Sequence, residues 1–493
     1  MLKLLFAALA ALFFVFPAAA QELPTEADLL RHIEILASDR FQGRRPGTIG
    51  EAMAAHYVAA HLAEAGVDPG NEGSYYQPVP LIERRMTDVA LDWVRVREER
   101  RDRVVPIGDD DIVAIGRSES EMLDAPIIFA GFGDPSELAE FAVEGSVIIL
   151  LPGRPADADD FPGYRQRLGQ LSEMGAAAIF GISEGGPSWQ GTQSRYRSGR
   201  GGSADTPMAP IEGAIVEDIV MRWLDREGID ADNLEAFANS TEFTPVAFRS
   251  RLRGTVSSNI HHYNGYNVIG RLEGAGDLDE RIMFLAHYDH FGVCRPEDDD
   301  DKICNGAVDN ASGTAAMLEV ARALGRGERP IRDIIFIATT AEEMGLLGAE
   351  HFAEHPTVPL DSIVAALNLD MIALSGAGAP VGIVGRGETP LDPVIDRAAR
   401  ELGRGIYDDV DINAFIQRQD GWALVQRGVP AVMAGGSFTD PEPLNAFLQG
   451  AYHTAHDDLD NGIELGGTLE DAWLHISLGR ILADPSQYAP PAR

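Results

Sequence analysis

From about residue 255 onward, short apolar runs bounded by turn residues alternate with amphipathic helical stretches, and this alternation limits the possible folds more than any other feature. Strands are expected at 282–286, 334–339, 363–369, 381–384 and 431–434, and helices at 314–324, 346–354, 393–402 and 469–482. Parallel neighbours need a crossover, and the intervening helices supply it. The expected fold class is therefore α/β: a mixed, mostly parallel sheet flanked by helices. Two helices precede it, at 26–37 with Leu29, Leu30, Ile33 and Leu36 on one side, and at 51–65, stopped by Gly66 and Pro69. A strand is expected at 75–83.

The residues just past these strands carry chemistry. His287, Asp289 and His290 follow the first strand, Glu342 and Glu343 the second, and Asp370 the third. Asp309 precedes the helix at 314–324 within Gly306–Gly313. Ligands gather beyond the carboxyl ends of strands in open α/β sheets. Imidazoles and carboxylates crowded at one sheet end repel or stay unsatisfied without a cation, and zinc accepts both donor types. The adjacent Glu342 and Glu343 need a turn to serve one site, since neighbours in a strand point to opposite faces.

Residues 105–252 have a different texture. Runs at 127–130 and 147–151 suggest buried strands, followed by a helix at 165–174 and a strand at 176–182. Residues 185–210, rich in Gly, Ser and Pro, are expected as loop. No cluster of His, Cys and carboxylates occurs here, so 105–252 is expected to be an inserted domain without catalytic chemistry. The peptide chain then divides into 1–20, 21–104, 105–252 and 253–493.

Lys3, the apolar run 4–16 and the small residues Ala18, Ala19 and Ala20 give residues 1–20 the pattern of a secretory signal. That run is too short to span a bilayer. Gln21, rather than Cys, follows the cleavage site, which argues against a lipid anchor. The mature protein is expected to be exported, to the periplasm or beyond, with no membrane span. Exported proteins keep disulfides, so Cys294 and Cys304 are expected to bridge. The formal net charge of −37 disfavours nucleic acid as a partner.

The segments FLAHYDHFG, NGAVDNASG, TAEEMGLLGAE, ALNLDMIA and YHTAHDD occur in this order. Together they resemble the signature set of the co-catalytic zinc aminopeptidase family of clan MH, which also contains glutamate carboxypeptidase relatives and glutaminyl cyclases. The resemblance implies a zinc-exopeptidase fold over about 22–100 and 255–485. IIFAGFGD, EGSVIILLPG and SEMGAAAIFGI resemble a protease-associated (PA) domain, β-rich and inserted. The resemblance also implies two zinc ions: His287 and Asp370 on one, Glu343 and His453 on the other, and Asp309 bridging. Glu342 becomes the general base for a water shared by the metals, and Asp289 orients His287. His456 is a rival for His453, and His290 a lining residue. The family's Ser-Asp-His segment stands here as Gln419-Asp420-Gly421, a departure on the substrate side. Tyr452 and Trp422 are candidates to stabilise the oxyanion.

The activity implied is an aminopeptidase acting on peptides. A carboxypeptidase or dipeptidase could use the same site, with Arg386 or Arg418 clamping a terminal carboxylate. A glutaminyl cyclase uses one zinc, and a non-catalytic relative would lack ligands. The sequence carries no signal for an oligomeric state.

Overall fold

The computed structural model describes residues 23–491 apart from 98–100, 157, 159–160, 230, 232 and 295–300. The signal-like segment 1–20 and acidic residues 298–300 lie outside the described residues. Two compact units emerge: residues up to Gln77 together with Tyr266–Arg493, and Pro78–Gly265. The second is wider at both ends than 105–252. Long strands, Tyr76–Arg95 and Val246–Leu272, carry the chain across both boundaries. Neither crossing is marked by a Gly/Pro-rich linker.

The first unit holds the expected α/β sheet. Its strand order is Gly382–Val384, Ala431–Gly435, Ile363–Asn368, Arg281–His287, Asp333–Thr339 and the end of Val246–Leu272. The three central pairings are parallel and the two outer ones antiparallel. Alternation along the strands explains the double coverage. Ile282, Phe284 and Ala286 join the core under one helical layer, while Met283 and Leu285 join the core on the other side. Ile334, Phe336 and Ala338 repeat the first pattern, and Ile335 and Ile337 the second. Strands apolar on both faces must be covered on both. Helices Glu26–Leu36, Ile49–Glu64, Gly313–Gly325 and Leu465–Leu482 contribute to the first layer, and Leu347–Glu354 and Gly421–Val425 to the second. The first helix starts at a capping box, with Asp28 N–H on Thr25 Oγ1 (3.3 Å) and Thr25 N–H on Asp28 Oδ2 (3.0 Å).

A buried arginine ties the loops of this unit together. The Arg44 guanidinium donates to the carbonyl oxygens of Leu36 (2.5 Å), Tyr288 (2.6 Å), Asn305 (2.6 Å) and Gly306 (2.9 Å). Burial lowers its pKa to about 10, against the pull of Asp457, Asp289 and Asp309. Arg44→Met would leave the carbonyls of Leu36, Tyr288 and Asn305 without a donor, at about 1–3 kcal/mol each before relaxation, while Gly306 O keeps the Ala311 amide at 3.1 Å. The expected loss is about 3–5 kcal/mol in urea unfolding. A loss under about 1 kcal/mol would mean that the loops repack around other donors.

Nearby, Cys294 and Cys304 are bridged as expected, with Cα atoms 5.8 Å apart. The short strands Gly292–Val293 and Ile303–Cys304 pair beside the bridge.

The strands of the second unit are also mixed in direction. Ser120–Phe129, Val147–Leu150, Ala178–Ser183 and Ile211–Val216 run parallel in that order, and Ile112–Gly116 is antiparallel at the end. One expectation fails here. Residues 185–210 are not all loop, because Pro187–Ser198 is a helix. Pro187 at its first turn suits a helix start. Trp189, Thr192, Gln193 and Tyr196 are buried at spacings of three and four, so burial of one face outweighs the weak helix formers Ser, Gly and Thr. No helix of the described residues is long and apolar enough to cross a membrane.

Candidate metal centre

Strand register brings the chemistry to one end of the first sheet. His287 pairs with Thr339, and Leu285 with Asn368, so three adjacent parallel strands finish together. His287 ends its strand, Asp370 lies two residues past the next, and Glu342 and Glu343 lie in the turn after Thr339. In that turn the amides of Gly345 and Leu346 donate to Glu342 O at 2.7 and 2.8 Å. Ala341 (φ 55°), Met371 (φ 49°) and His453 itself (φ 59°) are left-handed non-glycine residues. Such conformations cost about 1–3 kcal/mol and cluster where function over-determines the backbone.

All five ligand candidates meet. His287 Nε2 lies 3.1 Å from Asp309 Oδ1 and 3.4 Å from Asp370 Oδ1. His453 Nε2 lies 3.4 Å from Asp309 Oδ2 and 3.0 Å from Glu343 Oε2. The two oxygens of Asp309 therefore face two different histidines. His290 also enters, with Nδ1 2.5 Å from Glu343 Oε1. Two ligand groups converge tightly enough for an ion: His287, Asp309 and Asp370, and His290, Asp309 and Glu343. The histidine completing the second group there is His290, while His453 reaches the same two carboxylates from the cleft side with its side chain 35% exposed. His456 is exposed and stays outside the cluster.

These contacts are close but not aligned as hydrogen bonds. His287 Nε2, His290 Nδ1, Glu343 Oε1, Asp370 Oδ1 and His453 Nε2 are buried atoms without a hydrogen-bond partner. Buried polar atoms in this state are costly. A cation between them would satisfy them together, and the donor set of imidazoles and carboxylates is the one zinc takes. The electrostatics agree. Desolvation lowers the His287 pKa, but Glu342, Asp370 and Asp309 overrule it and hold it well above its usual value. A field that favours a proton on that ring favours a metal cation there as well.

Some supporting residues lie within the sequence motifs, among them Asp457, Asn310 and Asp289, while Glu51, Thr314 and Asp420 lie outside them. Asp457 accepts the amides of Val308 (2.8 Å) and Asp309 (3.0 Å), and burial raises its pKa to about 6. Thr314 Oγ1 donates to His287 O at 2.8 Å. Asn310 donates to Leu369 O (3.0 Å) and accepts from the Gly313 amide (2.9 Å), fastening the Asp309 segment to the Asp370 strand. Glu51 accepts from Thr340 Oγ1 (2.6 Å) and the Gly47 amide (2.6 Å). Thr339 donates its hydroxyl to buried Asp420, whose pKa burial raises to about 6. Asp289 Oδ1 is 3.8 Å from His287 Nδ1, too far for a hydrogen bond, and instead accepts the Glu342 amide at 3.0 Å.

A cleft opens beside the cluster, lined by Asp309, Glu342, Asp370, Arg418 and Tyr452 among others. The Tyr452 ring stacks on His453 at 3.6 Å, and its hydroxyl accepts from Arg418 Nη2 at 3.3 Å. Trp422 is not among the lining residues. Arg386 is engaged elsewhere, with Asp396 at 2.9 Å.

Comparison with known proteins places this arrangement. Aminopeptidase NAALADL1 of Rattus norvegicus is 32% identical over 172 residues, which is 32% of this chain and 21% of that protein. The probable glutamate carboxypeptidase LAMP1 of Arabidopsis thaliana is 37% identical over 142 residues, 28% of this chain and 18% of that protein. The matches thus span only about a fifth of each relative's length. The solved structure titled aminopeptidase from Aneurinibacillus sp. strain AM-1 shares the fold, with a TM-score of 0.56, 16% identity, and coverage of 94% of each chain. Residues 267–476, the stretch carrying every ligand candidate, match the model of peptidase family M28.

Proposed function

We propose that this chain is a zinc-dependent exopeptidase, an aminopeptidase that removes N-terminal residues from peptides. Two zinc ions are proposed: one held by His287 and Asp370, the other by Glu343 and His453, with Asp309 serving both. The observation that carries this reading is the division of the Asp309 oxygens between His287 and His453. His290 is proposed to line the second site.

Bound zinc would lower the pKa of water toward about 7 and polarise a carbonyl oxygen. Glu342, half-buried in the cleft, takes the proton from the attacking water and returns it to the leaving amine. Burial, reinforced by Glu343 and Asp420 and opposed by His287, holds its pKa well above the usual carboxylate range, which suits it to accept a proton. Asp289 fixes the Glu342 backbone through its amide. Tyr452 keeps its proton, because burial and the nearby carboxylates push its pKa up, so its hydroxyl can donate to the substrate carbonyl oxygen. Acids in the cleft wall favour a substrate ammonium.

Arg418 favours a second reading, a carboxypeptidase. It lines the cleft and has no carboxylate within ion-pair distance among the described residues, so it could clamp a terminal carboxylate. The test compares a free aminoacyl anilide with its N-acetyl form, and a peptide with its C-terminal amide. An aminopeptidase stops at acetylation and ignores amidation. The opposite pattern moves the assignment to a carboxypeptidase with the same Glu342.

Asp457 supplies a further check. Asp457→Asn keeps one acceptor but turns an NH2 toward the second amide. Metal affinity should fall about 10–100-fold, the usual effect of losing an outer support. Chelator competition measures it, and unchanged affinity would remove Asp457 from the centre's support.

A further inference from the structure

A cavity of about 640 Å³ lies wholly within the second unit and shares no lining residue with the metal centre. Small-ligand pockets span about 300–1,000 Å³. One side is apolar, with Leu168, Ile179 and Ile182. Another carries Arg195, Arg200 and Glu212. In a chain of net charge −37, two guanidiniums against one carboxylate reverse the local sign.

The charged side is built rather than incidental. Arg200 Nη1 donates to the hydroxyl of buried Tyr196 at 2.8 Å, and its guanidinium sits 4.8 Å over that ring. Arg195 Nη2 reaches Thr192 Oγ1 at 3.4 Å. Gly181 has the Tyr164 hydroxyl where its Cβ would stand, so glycine there admits that hydroxyl to the wall. Burial raises the Glu212 pKa, while Arg200 and Arg84 lower it. Among the described residues, neither arginine has a carboxylate within ion-pair distance, and Glu212 has no cation within it. Opposite charges thus line one cavity unpaired, beside an apolar wall.

We propose that this cavity binds a free α-amino acid with an apolar side chain. Its carboxylate meets Arg200 and Arg195, its ammonium meets Glu212, and its side chain packs on Leu168, Ile179 and Ile182. The cavity's charges carry this assignment, independently of the peptidase reading.

The probe is L-leucine, titrated calorimetrically into the whole metal-loaded chain. Leucinamide lacks the carboxylate, and 4-methylpentanoate lacks the ammonium. Each should bind about ten-fold or more weakly than leucine, as expected for losing one charged hydrogen-bonding group. Arg200→Leu should weaken leucine binding by a similar factor. Gly191→Met guards against a folding defect. Gly191 lines the cavity within a helix and has nothing within 4 Å of where a Cβ would stand, so a methionine can be introduced at the cavity wall without a clash at its Cβ. It too should weaken leucine. Three results overturn the proposal: no leucine binding, equal binding by the original chain and both variants, or 4-methylpentanoate binding as tightly as leucine. The last would reduce the cavity to a plain carboxylate site.

Discussion

Glu342→Gln is expected to leave the chain folded and its metal content unchanged, while kcat falls about 10²–10⁴-fold. Glutamine keeps the size and the polar end but cannot accept the proton from water. The backbone anchor survives, because Asp289 holds the Glu342 amide and not its side chain. The carboxyl itself makes none of the close histidine contacts that His287 and His453 make with Asp309, Asp370 and Glu343. Metal analysis and turnover must be read on the same preparation. Loss of metal together with activity would make Glu342 a structural member of the cluster. Full activity with full metal would end its assignment as base.

Asp309→Ala is expected to do the reverse, removing metal first and activity as a consequence. Both carboxylate oxygens are committed, at 3.1 Å to His287 Nε2 and 3.4 Å to His453 Nε2. Alanine would leave two imidazoles and two acids facing a gap. Zinc affinity should fall by more than about 100-fold, beyond the usual effect of losing an outer support. Metal content should drop below the two per chain expected before substitution, and added zinc should not restore turnover. If one tightly held zinc and substantial activity remain, the two positions are independent and Asp309 does not join them.

His287, Asp309, Glu342, Glu343 and Asp370 each lie within a few residues of a strand end or helix start, and this much of the candidate site was legible in the sequence. Apolar runs of four to seven residues place the strand ends, and the sheet's geometry then places His287, Glu342, Glu343 and Asp370 together. His453 has no such strand before it. It was nameable only through the resemblance of its motif.

What only the tertiary structure decided is how the donors are held. Arg44 reaches Tyr288 O across 244 residues, and Asp457 reaches the Asp309 amide across 148. In sequence, Arg44 sits in a turn-rich stretch, where it looks solvated, and Asp457 falls within the YHTAHDD segment with no role of its own. Burial reverses that reading, and burial depends on contacts between segments that no local pattern records. The helix Pro187–Ser198 was missed for the same reason: its apolar stripe is Trp and Tyr with Thr and Gln between, and it becomes a buried face only once the second unit's core forms. His290 is the finest case. The chain placed it beside His287, but strand pleat and loop geometry turned its ring onto Glu343. The sequence by itself therefore determined which groups of one chemistry share a sheet end; tertiary packing decided which atoms face one another, because distances of 2.5–3.8 Å are set by loops anchored far away in the chain.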